Sequence, residues 1–188
     1  MQSGKSIRLK LALIRMGPLT DLETSVVAAN IQAVLGINVY THNSVNVPEE
    51  AFQENRLQYD AGLVLKYLSR YLRPDYSHIL GITHVDLCTP ILTHVYGQAE
   101  LGGRIAVISN ARLLKDTDTT AALPSRYYER LAKVALHEVA HTFSLYHCDT
   151  ERCLMRFSSG LKQLDHLDIW FCGRCEFILH RTLANSRG

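Results

Sequence analysis

The sequence has no apolar stretch of membrane-span length, no basic run longer than two residues, and no repeat or low-complexity segment. The first absence excludes a spanning helix, which needs about 20 apolar residues. The second removes the electrostatic footprint of a nucleic-acid or anionic-membrane binder. The formal net charge of +2 agrees with that. The N-terminal run IRLKLALIRM is interrupted by Lys10 and Arg15, and no small-residue cleavage site follows. It is therefore not expected to act as a signal peptide. A cytoplasmic monomer is expected, with no nucleic acid and no membrane as partner. The 188 residues suit one domain with a sizeable core.

What is present is an alternation of strand and helix signals. Ile7, Leu9, Leu11 and Leu13 alternate with their neighbours and predict a first strand. A helix follows from about Thr20 to Leu35, opened by a Thr20–Glu23 capping box and stopped by Gly36. INVYTHNSVNV predicts a strand ending before Pro48. A second helix is predicted from about Asn55 to Leu72, with Leu57, Ala61, Val64, Leu65, Leu68 and Leu72 on one face and Pro74 beyond it. Ile79 to Leu87 reads as a buried strand. Thr93 to Leu101 and Arg104 to Ser109 read as a hairpin about Gly102-Gly103. Helices near Ser125 to Ser144 and from Trp170 to about Leu183 follow. The class is α/β, with an N-terminal subdomain of about residues 1–146 and a small C-terminal one of about 147–188. The cleft is expected between them.

The densest chemistry lies in HEVAHTFSLYHC, His137 to Cys148. An α-helix turns about 100° per residue, so His137 and His141 project from one face and can chelate one ion. Glu138 lies about 100° further round and can reach a water on the metal. His147 would sit roughly 9 Å beyond His141 and about 120° away on a straight helix, so the chain must break and fold back. Three protein ligands with one open position is the catalytic pattern for zinc. An isolated HExxH arises by chance in roughly one chain in thirty, and the third histidine and the cysteines set this one apart. The remaining histidines (His42, His78, His84, His94, His166, His180) have no partner spacing and read as surface or core.

Of five cysteines, Cys88 lies alone in an apolar stretch and reads as a buried thiol. The others form two short pairs, Cys148/Cys153 and Cys172/Cys175, which read as a four-thiolate zinc knot. Disulfides, CxxC redox chemistry and an iron–sulfur cluster are the rivals. Because His147 and Cys148 are adjacent, a knot there would tie the third histidine to a rigid metal cluster.

At these residues the chain resembles the metzincin zinc peptidases, whose pattern is HExxHxxGxxH followed by a Met-turn. It is most similar to the archaemetzincins, in which that pattern runs into HCx4CxM and a later CxxC. Here the run reads HEVAHTFSLYHC-DTER-CLM, then CGRC, covering roughly a fifth of the chain. Upstream, HVYGQAELGGRIAVIS is similar to the family's strand pair before the active-site helix.

The resemblance implies a metzincin-like zincin fold: a twisted mixed sheet, two helices plus the active-site helix, and a zinc-tied C-terminal subdomain. It implies zinc-dependent hydrolysis of a peptide or protein substrate with two zinc ions per chain. His137, His141 and His147 would hold the catalytic ion, Glu138 would be the general base, and Met155 the Met-turn methionine. Cys148, Cys153, Cys172 and Cys175 would hold the structural ion. The strand above the metal would bind substrate as an added strand, with Tyr96, Gly97, Gln98, Ala99 and Glu100 as candidates. Two departures stand out. The loop from Met155 to Cys172 is one residue shorter than usual, and the family's glycine after the second histidine is Ser144. Serine in a glycine-type turn costs roughly 1 kcal/mol, so either the turn takes another shape or the knot absorbs the strain. A zinc-bound peptide-binding or scaffold protein with little turnover is the alternative that Ser144 raises.

Overall fold

The computed structural model describes residues 9–114 and 124–186. Its main sheet has five strands in the order β2-β1-β5-β8-β7: β1 (Lys10–Met16), β2 (Asn38–Val45), β5 (His78–Thr83), β8 (Ile105–Ser109) and β7 (Gly97–Ala99). The pairs are parallel except β7 with β8, which is antiparallel. A second small sheet joins β3 (Phe52–Gln53), β4 (Gln58–Asp60) and β6 (Leu87–Cys88).

Both faces of the main sheet are covered, as parallel strands require. Leu9, Leu11 and Leu13 face a core shared with α1 (Asp21–Leu35) and α3 (Pro124–Thr142). Ala12, Ile14 and Met16 face the opposite core, under α2 (Ala61–Leu68). The strand alternation in the sequence is therefore a division between two cores. Ile7 lies outside the described residues.

Helix α1 has the expected ends. Thr20 and Glu23 form both bonds of the capping box, and Gly36 takes the left-handed C-cap at φ 63°. Burying Val27, Ile31 and Leu35 on one face fixes it to the sheet.

Four expectations are corrected. The second helix begins at Ala61 and not near Asn55, because Asp60 is its N-cap and accepts from the Leu63 N–H at 3.0 Å. Residues 52–60 form the β3–β4 hairpin instead, and Leu57 lies in its turn at φ 53°, 77% exposed. The helix ends at Leu68 and runs into a 3-10 turn, Ser69–Tyr71. The expected strand from Ile79 to Leu87 is two strands, β5 and β6, in different sheets. The last helix, α5 (Gly173–Asn185), starts after Trp170, and a short α4 (Leu161–His166) precedes it.

The segment after α3 packs back on it. Leu154, Met155, Leu164, Leu167, Leu179 and Leu183 join Leu131 and Leu136 in one apolar cluster. No described helix is long and apolar enough to cross a membrane.

Candidate metal centre and cleft

The C-terminal turns of α3 carry His137, Glu138 and His141 beneath the edge strand β7. The helix stops at Thr142, and Ser144 then takes a left-handed conformation at φ 63°. The turn therefore has the shape that a glycine would give. Its chain reversal returns His147 to the other two rings, with ring centroids 5.3 Å from His137 and 4.9 Å from His141. Gly102, at the β7–β8 tip, makes room for it: a β-carbon there would lie 2.8 Å from Ser144 Oγ. The Gly102 N–H also donates to the His141 carbonyl at 2.9 Å, which pins the hairpin tip to the end of α3.

Ring orientation is set by main-chain carbonyls. Nδ1 of His137 faces the Leu154 carbonyl at 2.8 Å, and Nδ1 of His141 faces the Leu145 carbonyl at 2.6 Å. A carbonyl only accepts, so each Nδ1 carries the proton and each Nε2 presents a lone pair. Those two Nε2 atoms are 3.1 Å apart. The candidate ligand atoms of His137, His141 and His147 all lie within 4.8 Å of one another. Two nitrogens on one tetrahedral zinc, at about 2.05 Å from it, would be about 3.3 Å apart, so the donor set fits.

Desolvation pushes His137 down to about 3, with His141 adding to it. The same burial lowers His141 and His147. All three are thus held as neutral donors. Glu138 is buried, and desolvation raises its carboxyl to about 8. Met155 is fully buried in the apolar cluster shared with α3.

The four cysteines also converge, with their sulfurs within 4.8 Å of one another. Cys148 Sγ and Cys172 Sγ are 3.8 Å apart. That is far beyond a disulfide bond of about 2.05 Å and matches the edge of a zinc–thiolate tetrahedron, about 3.8 Å. Burial raises the Cys175 and Cys153 thiols. At Cys172 burial also acts upward, but hydrogen bonds, the Cys175 N–H first, bring it down to about 6. The Cys148 N–H donates to the Met155 carbonyl at 2.9 Å, so the cysteine cluster and the segment carrying Met155 are one backbone unit. Cys88 is buried and free.

The cleft beside the histidines encloses about 560 Å³. Tyr96, Gly97, Gln98 and Ala99 line its upper side, while the Glu100 carboxylate turns back to accept from the Arg104 N–H at 3.4 Å. The Tyr96 and Glu100 main chains bond to β8, so the alternation turns the N–H and C=O of Gly97 and Ala99 away from it, to the open edge. His94, expected as surface or core, lines the cleft, as do Lys133, Val134 and Leu164, which carry no motif in the sequence. Of the remaining histidines, His78 is buried, and His166 and His180 are exposed.

A helix that sets HExxH beneath an edge strand, with a third histidine returned by a turn beyond its end, defines a zinc metallopeptidase of the metzincin type. Residues 21–181 match the family model of Peptidase family M54. The archaemetzincin of Methanopyrus kandleri is 38% identical over 181 residues, which cover 95% of this chain and 99% of that one. Its crystal structure superposes with a TM-score of 0.84 at 36% identity, covering 96% of this chain and 98% of that one. A zinc-dependent peptidase from Methanocorpusculum labreanum gives a TM-score of 0.80 at 28% identity, over 90% and 99% of the two chains. The chain belongs to Peptidase family M54, the archaemetzincins.

Proposed function

We propose that this zinc metallopeptidase hydrolyses peptide bonds at the cluster of His137, His141 and His147, with Glu138 as general base. The observation that carries the reading is the pair of imidazoles whose Nδ1 atoms are tied to main-chain carbonyls, which leaves their Nε2 atoms facing each other at 3.1 Å. Zinc, when bound, supplies a Lewis acid that acidifies a water and polarises a carbonyl.

The chain's own groups supply the rest. Main-chain groups of Gly97 and Ala99 bind an extended peptide as an added strand, with Tyr96, Gln98 and Glu100 completing that rim. Glu138 takes the proton of the attacking water on a carboxylate oxygen and delivers it to the leaving amine nitrogen. Met155 forms an apolar floor that limits movement of the imidazoles. Cys148, Cys153, Cys172 and Cys175 hold a second, structural zinc, for a total of two per chain.

Glu138→Ala tests the base. Its zinc content should equal that of the wild type while cleavage in a peptide-library digest, read by mass spectrometry, disappears. Retained hydrolysis would remove Glu138 from the mechanism.

A further inference from the structure

Lys133 lies one helical turn before His137, on the 133–137–141 stripe that α3 turns to the cleft. The step along the axis is about 6 Å. Its side chain is 1% exposed, and lysine is almost never fully buried unless paired. Two partners are in place: the Glu129 carboxylate at 2.6 Å and the Leu164 carbonyl at 3.3 Å. An ammonium has three N–H donors, so among the described residues one donor remains.

The two sides of this ammonium differ. Glu129 is half exposed and lines a separate outer cavity with Arg126, Lys162 and Asp165. Lys133 lines the catalytic cleft, between the apolar side chains of Val134, Leu154 and Leu164. Asp165 makes no hydrogen bond to it: both its oxygens accept from Arg130 at 2.6 Å, though its charge still acts on Lys133. The cleft thus has mostly apolar walls with Lys133 among its lining residues, one turn from the catalytic histidines. Methylenes of an entering side chain would meet the walls, and its terminal group would meet the ammonium.

We infer that Lys133 makes this peptidase select an acidic side chain, glutamate or aspartate, at a residue flanking the scissile bond. The inference rests on the peptidase reading of the cleft. Glu129 holds the ammonium from outside, and the substrate carboxylate takes the remaining donor from inside. A lysine that merely formed a structural ion pair would leave substrate choice untouched.

The test uses the zinc-loaded full chain and matched peptides that carry Glu or Gln at the position favoured in a library digest. The wild type should prefer Glu by about tenfold in kcat/KM, mostly through KM. The ratio should fall to near one in Lys133→Met. In Glu129→Gln, which keeps the cation, it should equal or exceed the wild-type value. A wild-type ratio near one, or an unchanged ratio in Lys133→Met, overturns the inference. Should Lys133→Met fail to fold, Glu129→Gln decides alone, and a ratio of one there overturns it.

Wild-type protein that cleaves neither peptide refutes the hydrolysis reading, and binding then decides this one. Tighter binding of the Glu peptide by fluorescence anisotropy, lost in Lys133→Met, supports it. Equal affinity for the two peptides overturns it.

Discussion

Gly97 and Glu138 fit against each other across the top of the cleft. A β-carbon at position 97 would lie 2.6 Å from Glu138 Cγ and 2.9 Å from its Cδ. The edge strand therefore fixes where the carboxylate can lie, and only glycine leaves the space. Gly97→Ala is expected to keep its zinc and to lose about a hundredfold in kcat, since a displacement of about 1 Å has that effect. Combined with Glu138→Asp, whose side chain is shorter, the same change should cost less. A β-carbon would also meet the Val107 carbonyl at 2.8 Å, but that contact is common to both backgrounds, so a double-mutant cycle isolates the Glu138 part. Strictly additive losses would show that Gly97 does not act through Glu138.

Ser144 adopts φ 63°, the conformation of the glycine it replaces. The strain is about 1 kcal/mol. Ser144→Gly should raise the thermal midpoint by about 2–4 °C. Hydrolysis should stay near the wild-type rate, because the turn already returns His147 to the cluster. A large gain in activity would show instead that the turn limits turnover.

His147 of the histidine cluster and Cys148 of the cysteine cluster are adjacent in the chain, so on the proposed reading the two metal sites share a backbone. Cys175→Ser should lower metal content from two zinc ions per chain to one or none and reduce hydrolysis by at least about tenfold. Metal analysis on desalted protein, alongside the activity assay, reads both. Full activity with one ion remaining would uncouple the two sites.

His78 is buried against Phe143, with ring centroids 4.2 Å apart. Burial, with Arg104 adding to it, pushes its pKa down to about 4 from an ordinary 6.5. The unfolded chain therefore binds a proton that the folded chain refuses. Stability is fully present above pH about 6.5 and falls as the pH drops toward about 4, by about 3 kcal/mol at most. Denaturant unfolding at pH 7 and pH 4.5 should show a smaller acid loss for His78→Leu than for the wild type. Equal acid losses would assign the effect to other groups.

The parts legible in the sequence were those set by local geometry. Thr20, Glu23 and Gly36 fix the ends of α1 within a few residues, and helix pitch alone pairs His137 with His141. The apolar periodicity runs through Leu57 into a turn, so it places the start of α2 too early; Asp60, the N-cap, marks where the helix begins. Lys133 carries no signal in the sequence, because a lysine in a helix ordinarily marks the solvent face. Its burial involves Leu164 of α4, a short helix that no periodicity predicts. The fit of Gly97 to Glu138 joins positions 41 apart in the chain and exists only in three dimensions.

The bond from the Gly102 N–H to the His141 carbonyl ties the tip of the substrate-side hairpin to the helix that carries the histidines. With Gly97 seated on Glu138, the rim is fastened to the catalytic helix at two points. The gap between them is consequently a fixed gauge. On the proposed reading, a peptide added along the open edge of β7 would meet a rim that keeps its distance from the histidines, with Gly97 and Gly102 as its two fastenings.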